Sequence, residues 1–243
     1  VDDDPMAIGR FHSVEVPVLA NAAVTADLLR EAIDNPACVD RRPEVADRWA
    51  IWRAEKQSRR SDDSGNGINS ASIFAALSDA VDDDAVMCVD VGNNTYSFGR
   101  YFEVKHQTVL MSGYLGSIGF GFPAAMGAWA AVGDERQIVG VSGDGGFGQY
   151  AMDLTTAVKY NMNLTHVLLD NRELGKISKE QRSADLDVWQ TSLHNPDFAE
   201  FASLLGADGH RVQSIDELAA TLAAALAHGG PSLVTIDADV ALL

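Results

Sequence analysis

The sequence predicts an α/β domain with three layers, α/β/α, around a mostly parallel central sheet. Three observations carry that prediction. Strand-length runs such as Ala85–Val91 and Thr165–Leu169 are apolar throughout rather than alternating, as strands covered on both faces are. Helix-length segments separate these runs, which favours parallel connections. Glycine-rich stretches fall where strands end, the edge at which open parallel sheets bind ligands.

Taken in order, Asp2-Asp3-Asp4-Pro5 through Val16-Pro17-Val18 reads as turn and short strand, followed by a helix over Ala22–Ile33. A charged helical stretch with Trp49 and Trp52 runs from Arg41 to Arg60, and Ser61–Gly67 reads as a flexible connector. Asn69 or Ser70 can cap an amphipathic helix to about Val81. The strand Ala85–Val91 ends in Gly92-Asn93-Asn94, and a strand near Val109–Met111 leads into Gly113–Gly119. A small-residue helix at Pro123–Ala131 precedes the strand Ile138–Val141, the turn Gly143–Gly148 and a helix to about Tyr160. The rest reads as strand Thr165–Leu169, a helix after Leu174, a helix at Pro196–Leu205, strand His210–Val212, helix Ser214–His228 and strand Ser232–Ile236. The expected division is 1–40 as the tail of a preceding domain, 41–67 as a charged helical linker, and 68–243 as the main domain.

The formal charge of −17 argues against nucleic acid or an anionic membrane as partner, since both would be repelled. No apolar run reaches membrane-span length, and the charged opening is not a signal peptide. The only lysines are Lys56, Lys105, Lys159, Lys176 and Lys179. This balance fits an acidic cytoplasmic protein and also fits adaptation to high salt, where carboxylate repulsion is screened. Cys38 and Cys88 form no ligand spacing, and Cys88 lies in a strand, so a core role in a reducing compartment is expected. His12, His106, His166 and His194 do not cluster and are read as structural or surface residues.

Gly143-Asp144-Gly145-Gly146-Phe147-Gly148 matches the dinucleotide pattern G-x-G-x-x-G, with Asp170 following a later strand. Asp144 decides against that reading. A carboxylate in the turn would repel a pyrophosphate unless a cation stood between them. With Mg²⁺, Asp144 supplies one hard oxygen, the Asn171 side chain a second and the Glu173 carbonyl a third, leaving positions for phosphate oxygens and water. The following helix N-terminus would add N–H groups for the anion.

Gly143-Asp144-Gly145, followed by Asn171 after one helix and one strand, resembles the thiamine-diphosphate signature. Asp90-Val91-Gly92-Asn93-Asn94, Gly116-Ser117-Ile118-Gly119-Phe120-Gly121-Phe122-Pro123 and Thr156-Ala157-Val158-Lys159-Tyr160 fall in the same family order. The chain is similar to the C-terminal, diphosphate-binding portion of the pyruvate oxidase and acetolactate synthase group, from about Asn69 onward. The resemblance implies Asp144, Asn171 and Glu173 as Mg²⁺ ligands. It implies a diphosphate surround of Gly145, Gly146, Asn93 and Asn94, with Gly92, Ser117, Gly143 and Gly175 also binding the cofactor. Ile118 would lie under the cofactor's bend, and the Gly116 carbonyl would accept from the aminopyrimidine. Asp170 departs from the Asn that the family commonly has.

The same resemblance implies that the activating glutamate belongs to a pyrimidine-binding domain of a second subunit, in a homodimer or homotetramer when full length. This chain alone would therefore bind cofactor weakly and not turn over. Glu180, nine residues past Asn171, is the candidate catalytic residue facing the reacting carbon, as in pyruvate oxidases; acetolactate synthases tend to place Trp there. The expected activity is decarboxylation of pyruvate or a related 2-oxo acid with an oxidase-like outcome. The alternatives are an acetolactate-forming carboligase and a non-catalytic or split subunit. FAD stays open, because the domain that would carry it lies mostly ahead of this sequence. The chain ends just after its last strand, without the amphipathic helix by which some quinone-linked pyruvate oxidases dock on membranes.

Overall fold

A computed structural model describes residues 1–34 and 39–241, so Cys38 lies outside the described residues. The chain divides into two compact units, Val1–Ala50 and Ile51–Leu243. The first contains a bridge between Asp2 and Leu19, the helix α1 (Ala22–Ala32) and the first half of α2 (Arg42–Arg59). Asn21 caps α1 by accepting from the Ala23 and Val24 amides at 3.0 and 3.3 Å. Neither α1 nor α2 buries a residue.

The second unit is built on six parallel strands: β1 (Val86–Val89), β2 (Thr108–Met111), β3 (Ile138–Gly143), β4 (Thr165–Asp170), β5 (Asp208–Val212) and β6 (Ser232–Asp237). Their order across the sheet is β2-β1-β3-β4-β6-β5. Every pairing is parallel, with Val86 beside both Thr108 and Ile138, and Asp170 beside Asp237.

Side-chain alternation along these buried strands makes two apolar layers. Met87, Val89, Val141, Leu169 and Ile236 pack on one side with α3 (Ser70–Ala80), α4 (Asn93–Tyr101) and α10 (Ile215–Leu226). Val86, Cys88, Ile138, Leu168 and Leu233 pack on the other with α5 (Gly121–Val132), α6 (Asp144–Tyr150), α7 (Leu154–Lys159) and α9 (Phe198–Leu205). The remaining helix is α8 (Gly175–Ser183). The three-layer α/β/α expectation holds, with a sheet that is wholly parallel among its described strands. Cys88 is fully buried, and burial pushes its thiol up to about 12, so it is an inert core residue.

Two local expectations are corrected. Gly92-Asn93-Asn94, read as the end of a strand, opens α4 instead. That helix is held by packing rather than propensity: Phe98 stacks on Phe102 at 4.5 Å and meets Phe74 edge-on at 5.9 Å. The helix expected after Gly148 starts earlier, at Asp144, and is broken by a 3₁₀ turn at Ala151–Asp153 before α7. Asn69 caps α3 through the Ser72 amide at 2.8 Å, and Asp197 caps α9 through the Ala199 and Glu200 amides.

Candidate functional site

From β1 the chain passes to β2 on one side of the sheet, and from β3 onward it builds the other side. The switch point therefore lies between β1 and β3, where doubly wound sheets open a crevice at the carboxyl ends of the strands. A cleft of about 280 Å³ occupies that place. It is lined by Gly92, which caps α4, Gly143, which caps α6, and Leu174, which caps α8. The first-turn amides of α4 and α8 thus lie at the cleft, a favourable arrangement for an anion.

Of the residues expected at the cofactor, Gly92, Asn93, Asn94, Gly116, Ile118, Gly143, Asp144, Gly145, Gly146, Asn171, Glu173 and Gly175 line this one cleft. Ser117 is exposed and outside the lining, its hydroxyl bonded to the Ile118 carbonyl at 3.2 Å. Glu180 is also outside the lining. Its carboxylate pairs with Lys176 at 2.8 Å and is 59% exposed, so in this structure it faces a neighbouring lysine rather than the cleft.

The Asp144 carboxylate is almost completely buried, and its orientation is fixed from three directions. Its Oδ1 accepts from the Gly145 amide at 3.0 Å. Its Oδ2 accepts from the Arg172 amide and the Asn195 side-chain amide, each at 2.7 Å. The same Asn195 nitrogen donates to Asp170 Oδ1 at 2.8 Å, so one amide joins two buried carboxylates. Burial raises Asp144 to about 6; the Asn195 and backbone hydrogen bonds oppose that, and the Asp170 charge adds to it. Neither acid forms an ion pair among the described residues.

The turn after β4 supplies the other oxygens. Arg172 adopts a left-handed φ of 57°, which reverses the chain so that its amide reaches Asp144. Asn171 Oδ1 accepts from the Glu173 amide at 3.1 Å, and the Glu173 carbonyl accepts from the Gly175 amide at 2.8 Å. Each keeps a second lone pair. The turn is braced by antiparallel contacts, Leu174 N–H to the Thr191 carbonyl at 2.7 Å and Leu193 N–H to the Arg172 carbonyl at 2.8 Å. That bracing carries Asn195 to the two acids.

Asp90, at the end of β1, holds the opposite wall. Its carboxylate accepts from the Gly119 and Phe120 amides at 3.0 Å and from Val91 at 2.7 Å. Burial raises its pKa while these amides pull it down. The anchored loop positions Gly116 and Ile118. A Cβ at Gly146 would stand 2.1 Å from Asp90 Oδ2, so only glycine lets α6 approach β1 this closely.

Sequence reasoning missed Asn195 and the Arg172 amide and did not give Asp90 its structural role. Asp90 lay inside a quoted motif, but Asn195 stands before Pro196-Asp197 and carried only the signal of a helix start.

The buried Asp144 carboxylate, the Asn171 amide oxygen and the Glu173 backbone carbonyl, the last two each with a lone pair beyond the hydrogen bond they already accept, form a hard, oxygen-only donor set at the cleft. These residues fit a divalent cation held against a diphosphate. The set is not a cluster of acidic, histidine or cysteine side chains, and no such metal cluster occurs among the described residues.

Residues 90–236 match the family described as thiamine pyrophosphate enzyme, C-terminal TPP binding domain. The chain is 34% identical over 239 residues to a putative thiamine pyrophosphate-containing protein, YdaP, of Bacillus subtilis, covering 97% of this chain and 41% of that protein. It is 28% identical over 245 residues to the catabolic acetolactate synthase of Raoultella terrigena, covering 98% and 43%. A thiamine diphosphate-dependent 4-hydroxybenzoylformate decarboxylase of Rhodococcus jostii shares the fold at a TM-score of 0.66 and 25% identity, over 72% of this chain and 33% of that one. The chain thus spans about two fifths of the length of the curated relatives it matches. Cleft, motif order and family match agree: the chain belongs to the thiamine-diphosphate-dependent enzymes, in their C-terminal, cofactor-binding domain.

Proposed function

We propose that this chain is the cofactor-binding part of a Mg²⁺-dependent enzyme that decarboxylates pyruvate or a related 2-oxo acid, with an oxidase-like outcome. The observation that carries the proposal is the convergence of Asp144, Asn171 and Glu173 with the glycines of three strand ends on a single cleft. Bound thiamine diphosphate supplies an electron sink for the bond-breaking step. The residues of this chain bind and orient. Asp144, Asn171 and the Glu173 carbonyl would hold the metal, and the amides at the starts of α4 and α8 would meet the diphosphate. Ile118 and the Gly116 carbonyl would meet the rings, on a loop that Asp90 fixes. In the same reading residues 1–40 are the close of a preceding domain, and a pyrimidine-binding domain from a second subunit completes the site.

A carboligase is the second reading, favoured by relatives described as acetolactate synthases. Replacing Glu180 by Trp in the longest natural polypeptide discriminates the two. A shift of product from acetate towards acetolactate supports Glu180 as the outcome-setting residue, and an unchanged product ratio removes that assignment.

The cofactor reading is tested by calorimetric titration of thiamine diphosphate with Mg²⁺ into the longest natural polypeptide, as parent and as Asp144→Ala. Removing a buried charged acceptor from the metal shell is expected to weaken metal-dependent binding at least tenfold, about 1.4 kcal/mol or more. Identical isotherms from parent and variant would sink it.

A further inference from the structure

Beside the cofactor cleft lies a second, open pocket of about 140 Å³, lined by Asn93, Tyr96, Ser97, Arg100, Lys176 and Lys179. It shares Asn93 and Lys176 with the cleft, so the two are adjacent. Its walls are two helix faces. Asn93, Tyr96, Ser97 and Arg100 recur at the spacing that puts residues on one side of α4, and Lys176 and Lys179 do the same on α8. In a chain of net charge −17 with five lysines, two lysines and an arginine converge on this small space.

Part of that charge is already answered: Lys176 pairs with Glu180 at 2.8 Å and lies over the Tyr96 ring at 5.0 Å. Among the described residues, Lys179 forms no ion pair or side-chain hydrogen bond, and the Arg100 guanidinium forms none either, lying 6.0 Å from the Tyr101 ring. The pocket therefore carries a net excess of positive charge, with Ser97 and Asn93 as neutral hydrogen-bonding groups.

We propose that this pocket is an oxyanion subsite of the same active centre, taking a carboxylate or phosphate carried by the substrate at a distance from its reacting carbonyl. The proposal rests on the cofactor reading for its functional meaning, but its test does not. A mobile ammonium at Lys179 and a guanidinium at Arg100 suit either anion. The substrate class that follows is a 2-oxo acid with a second anionic group.

The experiment is calorimetric titration of inorganic phosphate, without cofactor, into the full chain and into Lys179→Gln, Arg100→Gln and the double variant. Lys159→Gln, which removes one positive charge from α7 as each single variant removes one from the pocket, is the control. Phosphate affinity is expected to fall at least tenfold in the double variant and to match the parent in Lys159→Gln. Displacement of phosphate by 2-oxoglutarate supports a carboxylate-bearing substrate, and bound phosphate that 2-oxoglutarate does not displace supports a phosphate-bearing one. Equal affinity in parent and double variant overturns the subsite, as does equal weakening in Lys159→Gln, which would mean that only net charge matters. Failure of thiamine diphosphate to bind would instead count against the cofactor reading and leave this result standing.

Discussion

Both oxygens of Asp144 are engaged before any ligand arrives, and among the described residues Asn195 supplies the only side-chain donor to them. Because that amide also reaches Asp170, it separates two like charges that burial makes costly. Asn195→Leu would leave both acids without it. The expected loss is about 1–3 kcal/mol of stability in urea unfolding, accompanied by weaker Mg²⁺-dependent cofactor binding. Full stability with unchanged metal dependence would show that Asn195 is incidental. His166 offers a separate test. It is wholly buried between Phe122 and Phe147, each ring 5.1 Å away, with Nε2 at 2.7 Å from the Ser142 hydroxyl and Nδ1 without a partner among the described residues. Burial lowers its pKa to about 3 from an ordinary 6.5, so it stays neutral in the folded chain. As pH falls below 6.5 the unfolded chain takes up a proton that the folded one refuses. Stability is therefore fully present above 6.5 and lost progressively towards 3, at up to about 1.4 kcal/mol per pH unit. Asp144 and Asp90, whose pKa values are raised, act in the opposite sense, so the comparison is with His166→Asn, which keeps both acids. A parent slope no steeper than the variant's between pH 6 and roughly 4 would refute the assignment.

Among the elements, α4 shows what the sequence could and could not reveal. Strands β1, β3 and β4 were legible because continuous apolar runs of that length have few alternatives. The asparagine and glycine of the diphosphate turn were legible because their chemistry constrains their spacing. Asn93–Tyr101 had neither signal: it opens on Gly-Asn-Asn, contains Gly99, and owes its helix to Phe98 packing on Phe74 of α3 and on Phe102 at its own C-terminal cap. Asn195 was illegible for a related reason, since its role depends on backbone pairing between the Arg172–Leu174 turn and Thr191–Leu193. If packing holds α4, then Phe98→Ala should cost about 3–5 kcal/mol. It should also weaken cofactor binding, because Asn93 and Asn94 form the first turn of the same helix. Unfolding midpoints and a repeat of the calorimetric titration read the two effects. Weakened stability with intact binding would show that the first turn of α4 is held independently, by Asn94 Nδ2 to the Asp90 carbonyl at 2.7 Å and by Thr95 to the same carbonyl.

At the scale of the molecule, the division between the units falls inside one helix, where no break in composition marks it. Composition instead speaks to the electrostatic balance of the whole chain. A formal charge of −17 makes the folded state repel itself, since folding brings carboxylates closer than they stand in the expanded chain. Many of the surface ion pairs are exposed, among them Arg30–Asp27, Arg41–Glu44 and Lys105–Asp83, and solvent screening leaves pairs of this kind little net stabilisation. Salt weakens both terms, but the repulsion sums over many pairs at long range while the attractions are few and short. Raising ionic strength shortens the Debye length from about 10 Å at 0.1 M to about 3 Å at 1 M, which removes the long-range part first. The urea midpoint is therefore expected to rise with KCl over that range. Phosphate binding at the Lys179 pocket should weaken over the same range, since it depends on an attraction that salt also screens. A midpoint that falls with KCl would mean that the ion pairs outweigh the self-repulsion, and would remove the high-salt reading of this composition.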